Sequence, residues 1–350
     1  MEVKALKFGG LTAKRPIVQG GMGVGVSLSS LAGNVAKCGG VGTISGVHPG
    51  YREADFKENP FRANLRAIGN ELEKAKEIAN GGIIGFNFMT VMNHYEEYVK
   101  EAIAAGADFI VSGAGLPANL AKYAAGTRAA ILPIVSSARA LKLIVKQWQR
   151  ADRIPDAVVV EGPLAGGHLG YPYGHLVDGT FDTLEDSLVD VVDYVRELEE
   201  KNGVKIPVIA GGGVRNYADM ERLMALGASG VQVGTKFVAT EECDAAPAFK
   251  QAYLRSRKED VQLIESPVGL AARAIRNSFL EKVEKQGRIP VQRCYQCMNH
   301  CKQAETKYCI SQALIDAVQG REGLVFCGAN AYEIEKLSTV EKVMQELCGE

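Results

Sequence analysis

Two groups of residues in this chain have types and spacings that can do chemistry. The first is EGPLAGGHLG at 161–170, where His168 stands directly behind Gly166-Gly167. An imidazole titrates near neutral pH and can take or give a proton under working conditions. Paired glycines let backbone approach a ligand closely or adopt positive φ, at an entropic cost that a packed core avoids. The second is CYQCMNHCKQAETKYC at 294–309, which sets Cys294, Cys297, Cys301 and Cys309 in a C-x2-C-x3-C-x7-C pattern. A zinc ribbon usually joins two separated C-x2-C knuckles, whereas three of these cysteines lie within eight residues. Four thiolates from one compact loop suit a [4Fe–4S] cube. A zinc site, or thiols that are reactive or bind nothing, are the alternatives. His300, between two of the four, is expected to be solvated rather than a ligand.

Composition narrows the field. The 350 residues carry 40 Lys and Arg against 41 Asp and Glu, a net charge of −1. No field of one sign results, so nucleic acid and anionic membranes are poor partners. The N-terminal residues contain no apolar signal-type stretch, and no later run is long enough to cross a bilayer, so a cytoplasmic protein is expected. Eight cysteines are too few and too unevenly placed for a secreted disulfide scaffold. Cys38, Cys243, Cys327 and Cys348 are scattered and read as small buried hydrophobes.

The elements that must hold these groups follow from hydrophobic patterning. Short apolar, β-branched runs recur at 16–19, 41–45, 83–87, 109–112, 131–135, 157–161, 207–210 and 230–233. Helical patterns lie between most of them, at 29–37, 95–105, 116–124, 138–148, 184–201 and 217–226. Continuous rather than alternating apolar runs suit parallel strands buried on both faces. Eight such strands alternating with helices predict an α/β fold, a (β/α)8 TIM barrel. An open doubly wound sheet is the competitor, but GGMGVGVS at 20–27 offers no G-x-G-x-x-G frame. The expected division is a barrel over 1–240 and a C-terminal helical extension over 241–350 that carries the cysteine loop.

On this barrel the chemically apt residues fall after the strands, at the C-terminal mouth that carries active sites in the fold. Gly20-Gly21-Met22-Gly23 follows the first strand and Asn87 ends the third. Ser112-Gly113-Ala114-Gly115 follows the fourth, Ser136-Ser137 the fifth and Gly166-Gly167-His168 the sixth. Gly211-Gly212-Gly213 and Gly234-Thr235 follow the seventh and eighth, where the barrel habitually takes a phosphate on backbone N–H groups. One phosphate site and no second nucleotide motif point to FMN rather than FAD or NAD. In this reading the glycines admit the flavin, and His168 acts on whatever lies over it.

PIVQGGMG, GGVGTIS, GFNFM, SGAGLP, EGPLAGGHLG, PVIAGGGV, GASGVQVGTKF and SPVGLAARAI together resemble the nitronate monooxygenase (2-nitropropane dioxygenase) family of FMN barrels. That family also holds FMN-dependent enoyl-ACP reductases of the FabK type. The resemblance implies FMN phosphate on Gly212-Gly213 and Gly234-Thr235. It also implies ring contacts from Gly21-Met22-Gly23, Asn87 and Gly166-Gly167, with Gly211 and Ser136 completing the site and His168 as catalytic acid/base. The cysteine loop followed by GREGLVFCGANAY is similar to a subgroup, the FMN and [4Fe–4S] acyl-ACP dehydrogenase/isomerases of the FabX type. That likeness implies a medium-chain acyl thioester carried on acyl carrier protein, dehydrogenated and isomerised from trans-2 to cis-3. A small-molecule electron acceptor or donor completes the turnover. Nitronate monooxygenase and FabK-like reductase are the alternatives within the flavin class, and a flavin and iron–sulfur redox sensor is the alternative outside it. A homodimer is carried as an open expectation.

The remaining polar residues are given plainer roles. His48 is expected to be a mouth loop residue without a partner. His94 has no assigned role, and His175 is placed in a lid. Glu161 either orients His168 or the flavin, or makes a structural hydrogen bond. Trp148 is expected to be packing. Arg273, Arg276 and the 282–288 run are candidates for meeting an acidic carrier protein.

Overall fold

A computed structural model describes residues 4–299 and 301–350, and the expectation for His300 falls outside them. Eight strands pair in parallel around a closed barrel: Ile17–Gln19, Val41–Ser45, Ile83–Met89, Phe109–Gly113, Ala130–Val135, Val158–Glu161, Val208–Gly211 and Gly230–Val233. They are the eight expected runs with ends moved by at most two residues, and the fold is the (β/α)8 TIM barrel.

The runs are continuous because both faces are buried. Val18, Val41, Phe109, Val111, Leu132, Val159 and Ile209 pack together inside the barrel. Their neighbours Ile84, Phe86, Ile110, Ile131, Val158 and Val208 pack with the helices outside. Each such side chain contributes roughly 1.5–3 kcal/mol when fully buried. An N-terminal hairpin, Leu6–Phe8 with Leu11–Ala13, adds Leu6, Phe8 and Ala13 to the inner cluster and closes the barrel floor. The floor is sealed, so chemistry is confined to the other end.

Helices Ser29–Lys37, Tyr95–Ala104, Ala138–Trp148, Leu184–Asn202 and Tyr217–Ala225 match their patterns. The pattern at 116–124 yields only Leu120–Tyr123. Proline cannot donate into a helical ladder, and the carbonyl of Pro117 instead accepts the Trp148 indole N–H at 2.8 Å. Trp148 is packing, as expected, with this one polar anchor. The helix Pro60–Ala79 had no counterpart among the expected patterns. Its buried face mixes Ala63, Ala67, Ala75 and Ala79 with Ile68 and Leu72, and Asn59 and Pro60 mark its start, so the signal was present in the sequence.

The C-terminal part contains the helices Pro247–Arg255, Ser278–Gln286, Ile310–Val318 and Val340–Cys348. It also contains two strands, Val261–Glu265 and Ala271–Ile275, which form an antiparallel hairpin. The second of these pairs with Gly167–Leu169, so this segment reaches the barrel mouth. Asp244 fastens the join: its carboxylate accepts the N–H groups of Leu28 at 2.8 Å, Leu31 at 3.0 Å and Ser30 at 3.2 Å. A carboxylate there satisfies orphan donors and opposes the positive end of the Ser29–Lys37 helix. Among the described residues, no helix is long and apolar enough to cross a membrane.

Candidate active site

A cavity of about 710 Å³ opens where the barrel strands end. Its wall contains every residue expected to meet the flavin: Gly21, Met22, Gly23, Asn87, Ser136, Gly166, Gly167, Gly211, Gly212, Gly213, Gly234 and Thr235. His168 stands on the same wall. The convergence follows from topology, since parallel strands end together and each delivers its following loop to one rim.

The glycines serve different purposes. Gly212 and Gly213 have φ of +103° and +87°, which a side chain rarely tolerates. A Cβ on Gly21 would meet that of Asn87 at 2.4 Å, so this glycine lets its loop pack against the strand Ile83–Met89. Gly166 meets a further constraint besides the one expected of its pair. A Cβ there would lie 2.7 Å from the Cys327 carbonyl carbon and from the Gly328 nitrogen. Gly166 makes room for the chain's own C-terminal segment.

That segment is the part of the site that sequence reading missed. Phe326, Cys327, Gly328, Ala329, Asn330 and Glu333 all line the cavity. The Gly328 N–H donates to Thr235 Oγ1 at 3.1 Å, fixing the segment beside the expected phosphate loop. The signal that could have found it is its small-residue run Cys-Gly-Ala-Asn, which resembles the other rim loops. Arg215 and Lys236 also reach the wall, although they pair with Asp219 and Glu346. The loops expected to take a phosphate therefore also bring basic side chains to the wall.

His168 lies on Gly167–Leu169, a strand held by pairing with Ala271–Ile275. Its Nε2 is 2.8 Å from Ser266 Oγ, and Phe326 packs edge-on with ring centroids 5.0 Å apart. Burial depresses the imidazole to a pKa of about 4, so the ring is neutral at pH 7. Glu161 does not orient it. Burial raises the Glu161 carboxyl to about 7, against the opposing influence of the Gly170 N–H and the Arg273 charge. Arg273 itself is 8% exposed and donates to the Ala165 carbonyl. It is a buried tie and not a surface for an acidic partner, whereas Arg276, Lys282, Lys285 and Arg288 are exposed.

His48 also departs from expectation. It is buried, with Nδ1 3.2 Å from Asn64 Nδ2 and Nε2 2.8 Å from Ser311 Oγ. The Asn64 Oδ1 accepts the Gly50 N–H, so its amide nitrogen faces the ring. His48 therefore carries its proton on Nε2 and donates it to Ser311. Burial holds its pKa near about 4, against 6.5 for a free imidazole. Its stabilising contribution is complete above pH 6.5 and is lost as pH falls through about 4, by roughly 3 kcal/mol. Urea titrations from pH 7 to pH 4 should show His48→Gln losing stability less steeply than the native chain. Parallel slopes would remove His48 from the acid response. His94 precedes the Tyr95–Ala104 helix in a left-handed conformation without a side-chain capping bond, and His175 lies in the short helix Tyr173–Asp178.

Cys294, Cys297, Cys301 and Cys309 are free thiols that line one small cavity of about 30 Å³ with Tyr295, Met298 and Tyr308. The loop is tied to the rim by Asn93, whose N–H donates to the Cys297 carbonyl at 3.2 Å. Burial pushes the Cys297 thiol up to about 11 and raises Cys301 and Cys309. Among the described residues, no three His, Cys, Asp or Glu side chains are gathered to hold a metal ion. The expected ligand set shares a cavity without forming a cage.

Known proteins resemble this chain over part or most of its length. A probable nitronate monooxygenase of Staphylococcus saprophyticus is 26% identical over 306 residues, 81% of this chain and 82% of that protein. One from Staphylococcus haemolyticus is 35% identical over 136 residues, 39% of this chain and 36% of that protein. FabK from Thermotoga maritima superposes with a TM-score of 0.72 at 24% identity, covering 96% of this chain and 92% of that one. Nitroalkane oxidase from Streptomyces ansochromogenes gives 0.67 at 21% identity, covering 96% and 95%. These two superpositions establish the shared fold. Residues 4–350 match the nitronate monooxygenase family as a whole, and the chain belongs to that family of FMN-dependent oxidoreductases.

Proposed function

We propose that this oxidoreductase acts on medium-chain acyl thioesters presented by acyl carrier protein, with His168 moving the protons. The observation that carries the reading is the composition of the cavity around His168. Beyond the glycine rim, its wall includes Val24, Val26, Val47, Val238, Phe249 and Leu314, an apolar lining suited to an alkyl chain. Its volume of about 710 Å³ lies in the upper part of the ~300–1,000 Å³ range of small-molecule sites.

The glycine loops would hold FMN, which would supply a hydride acceptor and donor. In dehydrogenation the Cα–H bond breaks with its proton going to His168, and the Cβ–H bond breaks with its electron pair leaving as hydride. The electrons left behind form the Cα=Cβ bond. For the shift from trans-2 to cis-3, His168 removes a γ proton and returns a proton to Cα. A ring that is neutral at pH 7 is ready to accept, and a positioned base contributes about 10²–10⁴-fold. The exposed cations Lys282, Lys285 and Arg288, and Arg276 with its ion-pair partner Glu281, are the proposed contacts for the acidic carrier protein.

For the cysteine loop we propose a [4Fe–4S] cluster, supported by four thiols opening onto one cavity. Binding it requires the four sulfurs to draw together, and the proton steps above do not run through it. An alkyl nitronate is the second substrate reading, favoured by the names of the curated relatives.

Steady-state assays of decanoyl-ACP, crotonyl thioester and alkyl nitronate, with an anaerobic spectrum and iron and sulfide analysis, test these readings together. Acyl turnover with a higher kcat/KM than nitronate turnover is expected, alongside flavin bands and matching amounts of iron and sulfide. Faster nitronate turnover assigns the chain to nitronate oxidation. Absence of turnover with all three favours a redox sensor.

A further inference from the structure

The segment SPVGLAARAI, at 266–275, contains Ser266, a side chain that the reaction above does not use. Ser266 is 5% exposed and begins the turn between the strands Val261–Glu265 and Ala271–Ile275. Its N–H donates to the Leu270 carbonyl at 2.9 Å, and its own carbonyl accepts the Gly269 N–H at 2.9 Å. Gly269 has φ +78°, which closes the turn without strain. The second strand of the hairpin pairs with the strand of His168, with Ala272 opposite His168. Serine and histidine are thus fixed to one small sheet, 98 residues apart in sequence.

Ser266 Oγ, 2.8 Å from Nε2, is the only hydrogen-bond partner of the imidazole among the described residues. Nδ1 has no protein partner there. A neutral imidazole carries one proton, and the bond at one nitrogen decides which nitrogen keeps it. If the serine hydroxyl donated to Nε2, the ring proton would sit on Nδ1 and the ring could only donate to a substrate. If Nε2–H donates to Ser266 Oγ, Nδ1 keeps its lone pair and can accept. The same Nε2–H···Oγ bond then persists after Nδ1 takes up a proton, so the step needs no rearrangement. The hydroxyl has room for this role, because its other contact, from the Val268 N–H, is a long 3.4 Å.

We infer that Ser266 is a positioning residue that accepts the Nε2 proton of His168 and thereby makes Nδ1 the proton-transferring atom of the site. The inference rests on His168 being the acid/base of the proposed reaction. The partner is neutral, unlike the carboxylate that orients histidine in many hydrolases. It fixes the tautomer without stabilising the protonated ring by a full charge, which suits a base that must also return its proton.

The test uses FMN-loaded protein labelled with ¹⁵N at histidine, with His168→Gln identifying the resonance. The native ring should show a protonated Nε2 and an unprotonated Nδ1. Ser266→Ala should give mixed tautomers and lower kcat by about 10- to 100-fold, with KM changed less than about twofold and FMN content unchanged. Ser266→Thr, which keeps the hydroxyl, should restore both tautomer and kcat. A native ring protonated on Nδ1 overturns the inference, whether or not the variants fold. So does a Ser266→Ala protein with native tautomer and kcat. If the tautomer behaves as stated while no acyl thioester turns over, Ser266 keeps its role and the substrate proposal falls.

Discussion

His168→Gln should bind FMN, stay folded and lose about 10²–10⁴ in kcat on the acyl substrate. Glutamine approximates the reach of the imidazole and can still hydrogen-bond, so the cavity wall survives while the titrating group disappears. The histidine sits on a strand pinned by three paired residues, Gly167 to Arg273, His168 to Ala272 and Leu169 to Ala271. Side-chain replacement leaves that pairing intact. The pH dependence gives a second reading of the same variant. Burial holds the native imidazole at about 4, so the proton-accepting form prevails above that value and is lost below it. Native kcat/KM should therefore rise as pH climbs through the histidine pKa and then level off. The glutamine variant should lack that limb. If it keeps native turnover, the proton steps belong to another group.

Gly166→Val should weaken FMN binding by roughly 5- to 150-fold. The expected distances of 2.7 Å from the new Cβ to the Cys327 carbonyl carbon and the Gly328 nitrogen involve backbone atoms. No rotamer change can relieve them. Overpacking of this kind costs about 1–3 kcal/mol, and each 1.4 kcal/mol is about tenfold in affinity. The displaced segment carries Phe326, which packs on His168, and Gly328, which is tied to Thr235, so the strain falls on both ends of the cavity. Gly174→Ala is the control, since a Cβ at Gly174 meets nothing within 4 Å. Flavin fluorescence titration of both variants decides the matter. Native affinity in Gly166→Val would show that the segment 326–334 is not needed as a wall of the flavin site.

Local patterning and tertiary contact divided the work unevenly in this protein. The barrel and its rim were legible in sequence because parallel strands buried on both faces need unbroken apolar runs. Each strand also hands its following loop to the same mouth. Ile17–Gln19 through Gly230–Val233, and the thirteen expected residues now found on one cavity wall, follow from that rule. The helix Pro60–Ala79 was legible too, through the start at Asn59-Pro60 and the apolar stripe Ala63, Ala67, Ile68, Leu72, Ala75 and Ala79, although it was not among the expected patterns.

What only the folded chain decided lies in partners distant in sequence. Ser266 meets His168 across 98 residues, and Ser311 meets His48 across 263. Gly166 is a glycine because of Cys327 and Gly328, and Arg273 is buried by its tie to Ala165. The four cysteines have the spacing of a ligand loop, yet whether their sulfurs form a cage depends on how the loop closes. Periodicity along a chain records which face is buried. It does not record which distant side chain arrives there, since that is set by the closure of the whole barrel and the return of the C-terminal segment across its mouth.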